Sequence, residues 1–161
     1  MKALIGTGTA LITPFNGDHS IDFDALSRII EQQIAGGTNY FVMLGTTGES
    51  ATLSNQEKNA VVSHIKKVNA GRLPLVLGIG GNNTADVVEQ LKNLNTEGLT
   101  AILSVSPYYN KPNQQGIIHH YTEVANASPL PVILYNVPGR TGSNMTAETQ
   151  LELAKNTNIV A

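Results

Sequence analysis

Short apolar runs of strand character alternate with longer segments of helical period along this chain, and that alternation limits the fold more than any other feature. The strand-like runs fall at residues 8–12, 40–44, 75–79, 101–105, 132–135 and 158–161. Between them lie amphipathic stretches, with Leu26, Ile29, Ile30 and Ile34 on one helical face and Val61, Val62, Ile65 and Val68 on another. Five helices are thus expected to separate six strands. Asp22 precedes the first helix, and Ser54-Asn55-Gln56-Glu57 has the form of a capping box, with Thr84 and Thr146 as weaker starts. Gly36-Gly37, Gly71 and Gly98 are expected to close helices, and Pro74 and Pro131 stand where strands begin and a missing N–H costs little.

Strands that are apolar throughout belong to a parallel sheet covered by helices. An open doubly wound sheet and a (β/α)8 barrel both fit such a repeat, and they differ in where polar loops gather. Here polar, glycine-rich segments follow several strands in succession, at residues 45–50, 78–83, 106–112 and 136–142. A barrel collects all its βα loops around one axis, whereas an open sheet concentrates its site at one switch point. The distribution favours an α/β TIM barrel, and six strands are too few to close an eight-stranded one. Residues 1–161 therefore read as the N-terminal portion of a single (β/α)8 domain: the first five βα units and the start of strand six, without the remaining strands and C-terminal helices.

At 161 residues and 41% hydrophobic content the chain suffices for one core, and no linker or low-complexity segment divides it. A net charge of −2 with 14% charged residues gives no nucleic-acid footprint and no basic membrane-binding face. Small neutral or anionic metabolites are the expected partners. The absence of cysteine excludes disulfides and thiolate chemistry, and the apolar run at the N-terminus is too short for a secretion signal. No segment approaches membrane-spanning length, so the expected location is the cytoplasm.

Three loops carry the chemistry. Gly45-Thr46-Thr47-Gly48-Glu49-Ser50 places two adjacent hydroxyls and a carboxylate between glycines just after a buried strand, a pattern suited to a small anionic ligand, although the glycines also suit a plain turn. Ser106-Pro107-Tyr108-Tyr109-Asn110-Lys111-Pro112 sets two of only five tyrosines side by side in a proline-bounded loop. A phenol bonded to a neighbouring hydroxyl can relay a proton, and Thr46 or Thr47 can be that neighbour if the loops converge. Tyr108 is the better packing residue of the pair. In the third loop, Tyr135 stands at a strand end and Arg140 beyond it offers a fork for a carboxylate or phosphate.

These motifs, in this order, resemble the N-terminal half of the 4-hydroxy-tetrahydrodipicolinate synthase (dihydrodipicolinate synthase) family, pyruvate-condensing class I aldolases of the N-acetylneuraminate lyase superfamily. The resemblance covers the whole chain: Gly6-Thr7 with Ala10-Leu11-Ile12-Thr13-Pro14-Phe15, then residues 45–50 with Glu57, Pro107 to Pro112, and Tyr135-Asn136-Val137-Pro138-Gly139-Arg140-Thr141-Gly142. It implies condensation of pyruvate with L-aspartate 4-semialdehyde through a Schiff base in lysine and diaminopimelate biosynthesis, with no cofactor. It further implies that Thr46, Tyr135 and Tyr109 form a hydroxyl relay, that Thr47 holds the pyruvate carboxylate and that Arg140 binds the carboxylate of aspartate semialdehyde. Tyr109 would act in the partner subunit's site, in a dimer commonly doubled to a tetramer. A Schiff base also needs a lysine amine in a largely apolar site. None of Lys2, Lys58, Lys66, Lys67, Lys92, Lys111 and Lys155 lies on an expected strand, and the family's lysine would fall shortly after Ala161. The 161-residue polypeptide alone is therefore expected to be inactive.

The same resemblance places Ser50, Ala51 and Asn82 near an allosteric lysine cleft, but Asn55 and Lys58 stand where feedback-sensitive members carry histidines. A cationic Lys58 would repel the ammonium of lysine, which argues against inhibition. Gly78-Ile79-Gly80-Gly81 lacks the third glycine of a dinucleotide loop. His19, His64, His119 and His120 have no companions at metal-ligand spacing and read as solvated, so no metal is expected. Two alternatives stand beside the main reading: a sibling aldolase acting on N-acetylneuraminate or a keto-deoxy sugar acid, and a catalytically silent barrel with a binding role.

Overall fold

The computed structural model describes residues 2–161. The chain forms two compact units, one running to Leu77 and the other from Gly78.

After a 3-10 turn at Lys2–Leu4, the first unit contains strand β1 (Gly8–Ala10), helix α1 (Phe23–Ala35), β2 (Tyr40–Met43), α2 (Asn55–Asn69) and all but the last residue of β3 (Leu75–Gly78). The strands are parallel and lie in chain order, with Gly8 opposite Tyr40 and Phe41 opposite Leu75. Asp22 caps α1 by accepting from the Ala25 N–H at 2.7 Å. Ser54 and Glu57 make the expected capping box at α2, the Ser54 N–H donating to Glu57 Oε2 at 2.8 Å. The two helices lie against each other, and Leu26, Ile30, Val61 and Ile65 are buried with Phe41 and Met43 of β2. His64 is half-buried, hydrogen-bonded to Ser27 Oγ at 2.8 Å and packed at a tilt against Phe23, so its aromatic body is covered while part of the ring stays wet.

The second unit contains α3 (Thr84–Lys92), β4 (Ala101–Val105), α4 (Gln114–Ala127), β5 (Val132–Tyr135), a four-residue helix α5 (Pro138–Thr141) and α6 (Ala147–Leu153). β4 and β5 are parallel, with Ile102 opposite Val132 and Val105 opposite Tyr135. Ile117, Tyr121 and Ala125 of α4 form a buried cluster with Met145, Leu153 and Ile159, and Leu134 of β5 packs on it. Because side chains alternate along a strand, Tyr135 projects to the opposite face of the sheet from Leu134.

Several expectations are corrected by local chemistry. The sixth strand is only an isolated bridge between Val132 and Ile159, though Val132 N–H donates to Asn158 O at 2.8 Å and Leu134 N–H to Ala161 O at 2.8 Å. Only the one residue pair is bridged, so no ladder of consecutive pairs forms along residues 158–161. Thr84 does not cap α3: Asn83 does, accepting from Ala85 N–H, while the Thr84 hydroxyl turns inward to His120. α3 ends at Lys92 and is capped by Asn93 rather than Gly98, its last turn held by the Asn93 amide on Glu89. At the end of α2 the left-handed cap is Ala70, one residue before Gly71. Within the second unit α5 was not expected, although Pro138 at its first turn and Gly142 just past its end are a known start and stop pair.

Candidate active site

β2 delivers the threonine pair. Leu44 leaves the strand with φ +53°, a left-handed conformation that ends pairing and reverses the chain, and Gly45 returns to extended backbone before a 3-10 turn over Thr46–Gly48. Gly48 N–H donates to Gly45 O at 3.0 Å and Glu49 N–H to Thr46 O at 3.1 Å. Beneath the turn, Thr13 Oγ1 donates to Gly48 O at 2.8 Å in a buried bond. Gly48 sits so close to β1's exit that a Cβ there would lie 3.1 Å from Leu11 O. The floor of the turn is therefore pinned while Thr46 and Thr47 remain exposed above it. Ser50 and Ala51 belong to the next 3-10 turn, and Asn55 and Lys58 to the first turn of α2.

In the second unit β4 and β5 end side by side, with Ser106 N–H donating to Tyr135 O at 3.0 Å. Tyr109 is 88% exposed with φ +71°, and Lys111 also has positive φ. Tyr108, 41% exposed, is only partly packed. Asn110 ties the loop after β4 to the preceding one by donating from Nδ2 to Asn82 O at 2.9 Å. Tyr135 is half-buried at the end of β5, and Arg140 is exposed on α5. The Lys111 side chain crosses Gly142, where an added Cβ would meet its Cε at 2.8 Å, so the loops bearing Tyr109 and Arg140 touch.

Behind the strand ends lies a buried polar group that local sequence reading missed. His120 is 2% exposed, not solvated, and its Nδ1 is 2.8 Å from Thr84 Oγ1. Burial, with the neighbouring His119 second, lowers its pKa to about 4, so the ring is neutral. Tyr121 donates from its hydroxyl to Ser104 O at 2.9 Å, and burial holds its phenol protonated well above the ordinary range. The signal was present in α4, where Ile117, His120, Tyr121 and Val124 share one helical face. Among the described residues no group of three or more His, Asp or Glu gathers as a metal site, and no helix is long and apolar enough to cross a membrane.

Each of Thr46, Thr47, Tyr109, Tyr135 and Arg140 thus stands at or just beyond the C-terminal end of a parallel strand, the end at which βα barrels carry their chemistry. Thr46 and Thr47 lie in the first unit, and the two tyrosines and the arginine in the second.

Residues 3–161 match the model of the dihydrodipicolinate synthetase family. A 4-hydroxy-tetrahydrodipicolinate synthase of Flavobacterium psychrophilum is 63% identical over 155 residues, which are 96% of this chain and 53% of that protein. The dihydrodipicolinate synthase of Acinetobacter baumannii, solved with pyruvate, is 43% identical with a TM-score of 0.92, the match covering 96% of this chain and 53% of that one. The enzyme of Cyanidioschyzon merolae, solved with lysine bound, is 42% identical with a TM-score of 0.88 over the same shares, 96% and 53%. The chain spans about half the length of the curated relatives it matches, for example 53% of the first. Matched over nearly its whole length by this family and by its solved structures, with parallel βα units laid out in their (β/α)8-barrel order, the chain belongs to the dihydrodipicolinate synthetase family.

Proposed function

We propose that residues 1–161 form the N-terminal portion of a single barrel domain, and that the whole protein condenses pyruvate with L-aspartate 4-semialdehyde to 4-hydroxy-tetrahydrodipicolinate. The observation that carries this reading is the Thr46-Thr47 pair, exposed on a turn whose floor is pinned at the C-terminal end of β2. Paired hydroxyl donors held on a rigid floor suit the carboxylate of a small 2-keto acid, because they bind it without first having to be ordered. Thr47 is assigned to that carboxylate. The chemistry then requires a proton to leave the pyruvate methyl carbon and others to move on and off oxygen and nitrogen as the imine forms and turns over. The hydroxyls of Thr46, Tyr109 and Tyr135 are assigned to those transfers. Arg140 is assigned to the carboxylate of aspartate semialdehyde, for which a guanidinium supplies two parallel donors. The lysine nucleophile belongs, in this reading, to strand six.

Tyr109 supports an assembly as well as a reaction. A phenol 88% exposed on left-handed backbone is held away from its own unit, as a residue reaching into a partner subunit's site would be. In this reading the protein works in the cytoplasm as a dimer, paired to a tetramer. Ser50, Ala51 and Asn82 are assigned to an allosteric cleft, with Asn55 and Lys58 making it a poor site for lysine. The test is turnover by the full-length protein with pyruvate and a choice of second substrates. Turnover of aspartate semialdehyde supports the reading; turnover only of N-acetylneuraminate or a keto-deoxy sugar acid makes the protein a sibling aldolase, and no turnover makes it a silent barrel.

A further inference from the structure

The loop carrying Arg140 is cinched at its base by two side-chain amides, one of which comes from outside the loop. Asn136, at its entry, donates from Nδ2 to Asn144 Oδ1 at 2.8 Å and accepts from Met145 N–H at 3.2 Å. Gln114, at the start of α4, donates from Nε2 to Asn144 O at 2.9 Å. Its Oε1 accepts from Thr146 N–H at 3.1 Å and from Thr149 Oγ1 at 2.6 Å. The helix does not need Gln114 for its own start, because Asn113 already caps it by accepting from Gly116 N–H at 2.9 Å. A first-turn glutamine on a capped helix would ordinarily be solvated, and here three bonds commit its amide to Asn144, the N-cap Thr146 and Thr149 in the first turn of α6. That segment is fixed in turn by buried Met145.

We propose that Gln114 is a positioning residue that sets Arg140 for the carboxylate of the second substrate. It joins the end of the Tyr109 loop to the end of the Arg140 loop, while Lys111 over Gly142 braces the other side. A loop fixed before binding loses less freedom on binding, so the clamp acts on affinity for the group that Arg140 holds. The proposal rests on the assignment of Arg140 made above.

The test uses the full-length protein, with aspartate semialdehyde varied at saturating pyruvate. Gln114→Ala is expected to raise the KM for aspartate semialdehyde roughly tenfold, leaving the pyruvate KM and the borohydride-trapped pyruvate adduct near wild type. Thr149→Val, which removes one of the three bonds at almost constant volume, is expected to shift the same KM in the same direction by less, and it carries the test if Gln114→Ala does not fold. In an Arg140→Ala background either substitution is expected to change that KM by less than about twofold, because residues acting as one unit are not additive. An unchanged KM for aspartate semialdehyde, an equal rise for both substrates, or a full additional effect on top of Arg140→Ala would overturn the proposal. Wild-type protein that traps no pyruvate refutes the functional reading and the proposal with it, whereas a trapping protein with normal kinetics in both variants refutes the proposal alone.

Discussion

Two hydroxyls on adjacent residues decide how the turn after β2 can be used. Thr47→Val keeps the shape of the side chain and deletes one donor, so under the proposed assignment the KM for pyruvate rises roughly tenfold, the loss of one hydrogen bond to a charged group, in steady-state assays of the full-length protein. His120 supplies a prediction of a different kind. Its ring is held neutral with a pKa of about 4, against 6.5 for an ordinary histidine. Between those values the unfolded chain takes up a proton and the folded chain does not. The stability this group contributes is therefore present above pH 6.5 and is lost as the pH falls toward 4, by at most about 3 kcal/mol. His120→Gln should flatten the dependence of urea-unfolding free energy on pH within that window, and an unchanged slope would contradict the account. The threonines were legible because their chemistry is unusual for a turn. His120 was not, because its partner across the fold, Thr84 at the start of α3, is not its neighbour in sequence.

Elements were read most faithfully where their ends carry their own chemistry. The capping box at Ser54 and Glu57 is local, as are the Asp22 and Thr146 caps, and all three form as expected. Glycine was a poorer guide, since Ala70 takes the left-handed cap beside Gly71 and Gly98 turns a loop well beyond the end of α3. Gly80 shows what glycine does where tertiary contact decides: a Cβ there would lie 2.7 Å from Val105 N and 2.9 Å from Val105 Cγ1. Backbone cannot yield as a side-chain tip can. Gly80→Ala is accordingly expected to cost about 1–3 kcal/mol in urea unfolding, the usual range for overpacking, and a neutral result would mean that the loop after β3 can lift from β4. The helix α5 escaped sequence reading because four residues give no periodicity, and only its Pro138 and Gly142 boundaries mark it.

At the scale of the molecule, the repeat of parallel βα units was visible in sequence because buried parallel strands need apolar residues on both faces. The barrel followed from the placement of polar loops after successive strands, and solved structures of the family match the chain, one with a TM-score of 0.92. The placement at strand ends of the residues proposed for the site was legible for the same reason. What sequence did not reveal is how the loops are braced, because Gln114, Asn136 and Lys111 are ordinary polar residues until the fold sets them against residues 142–149. The central claim, Schiff-base condensation by the whole protein, is tested most directly by mass spectrometry of the full-length protein after borohydride reduction with pyruvate. The account predicts one reduced pyruvate adduct per chain on a single lysine, none of the seven within residues 1–161. An adduct on one of those seven, or none at all, would contradict it.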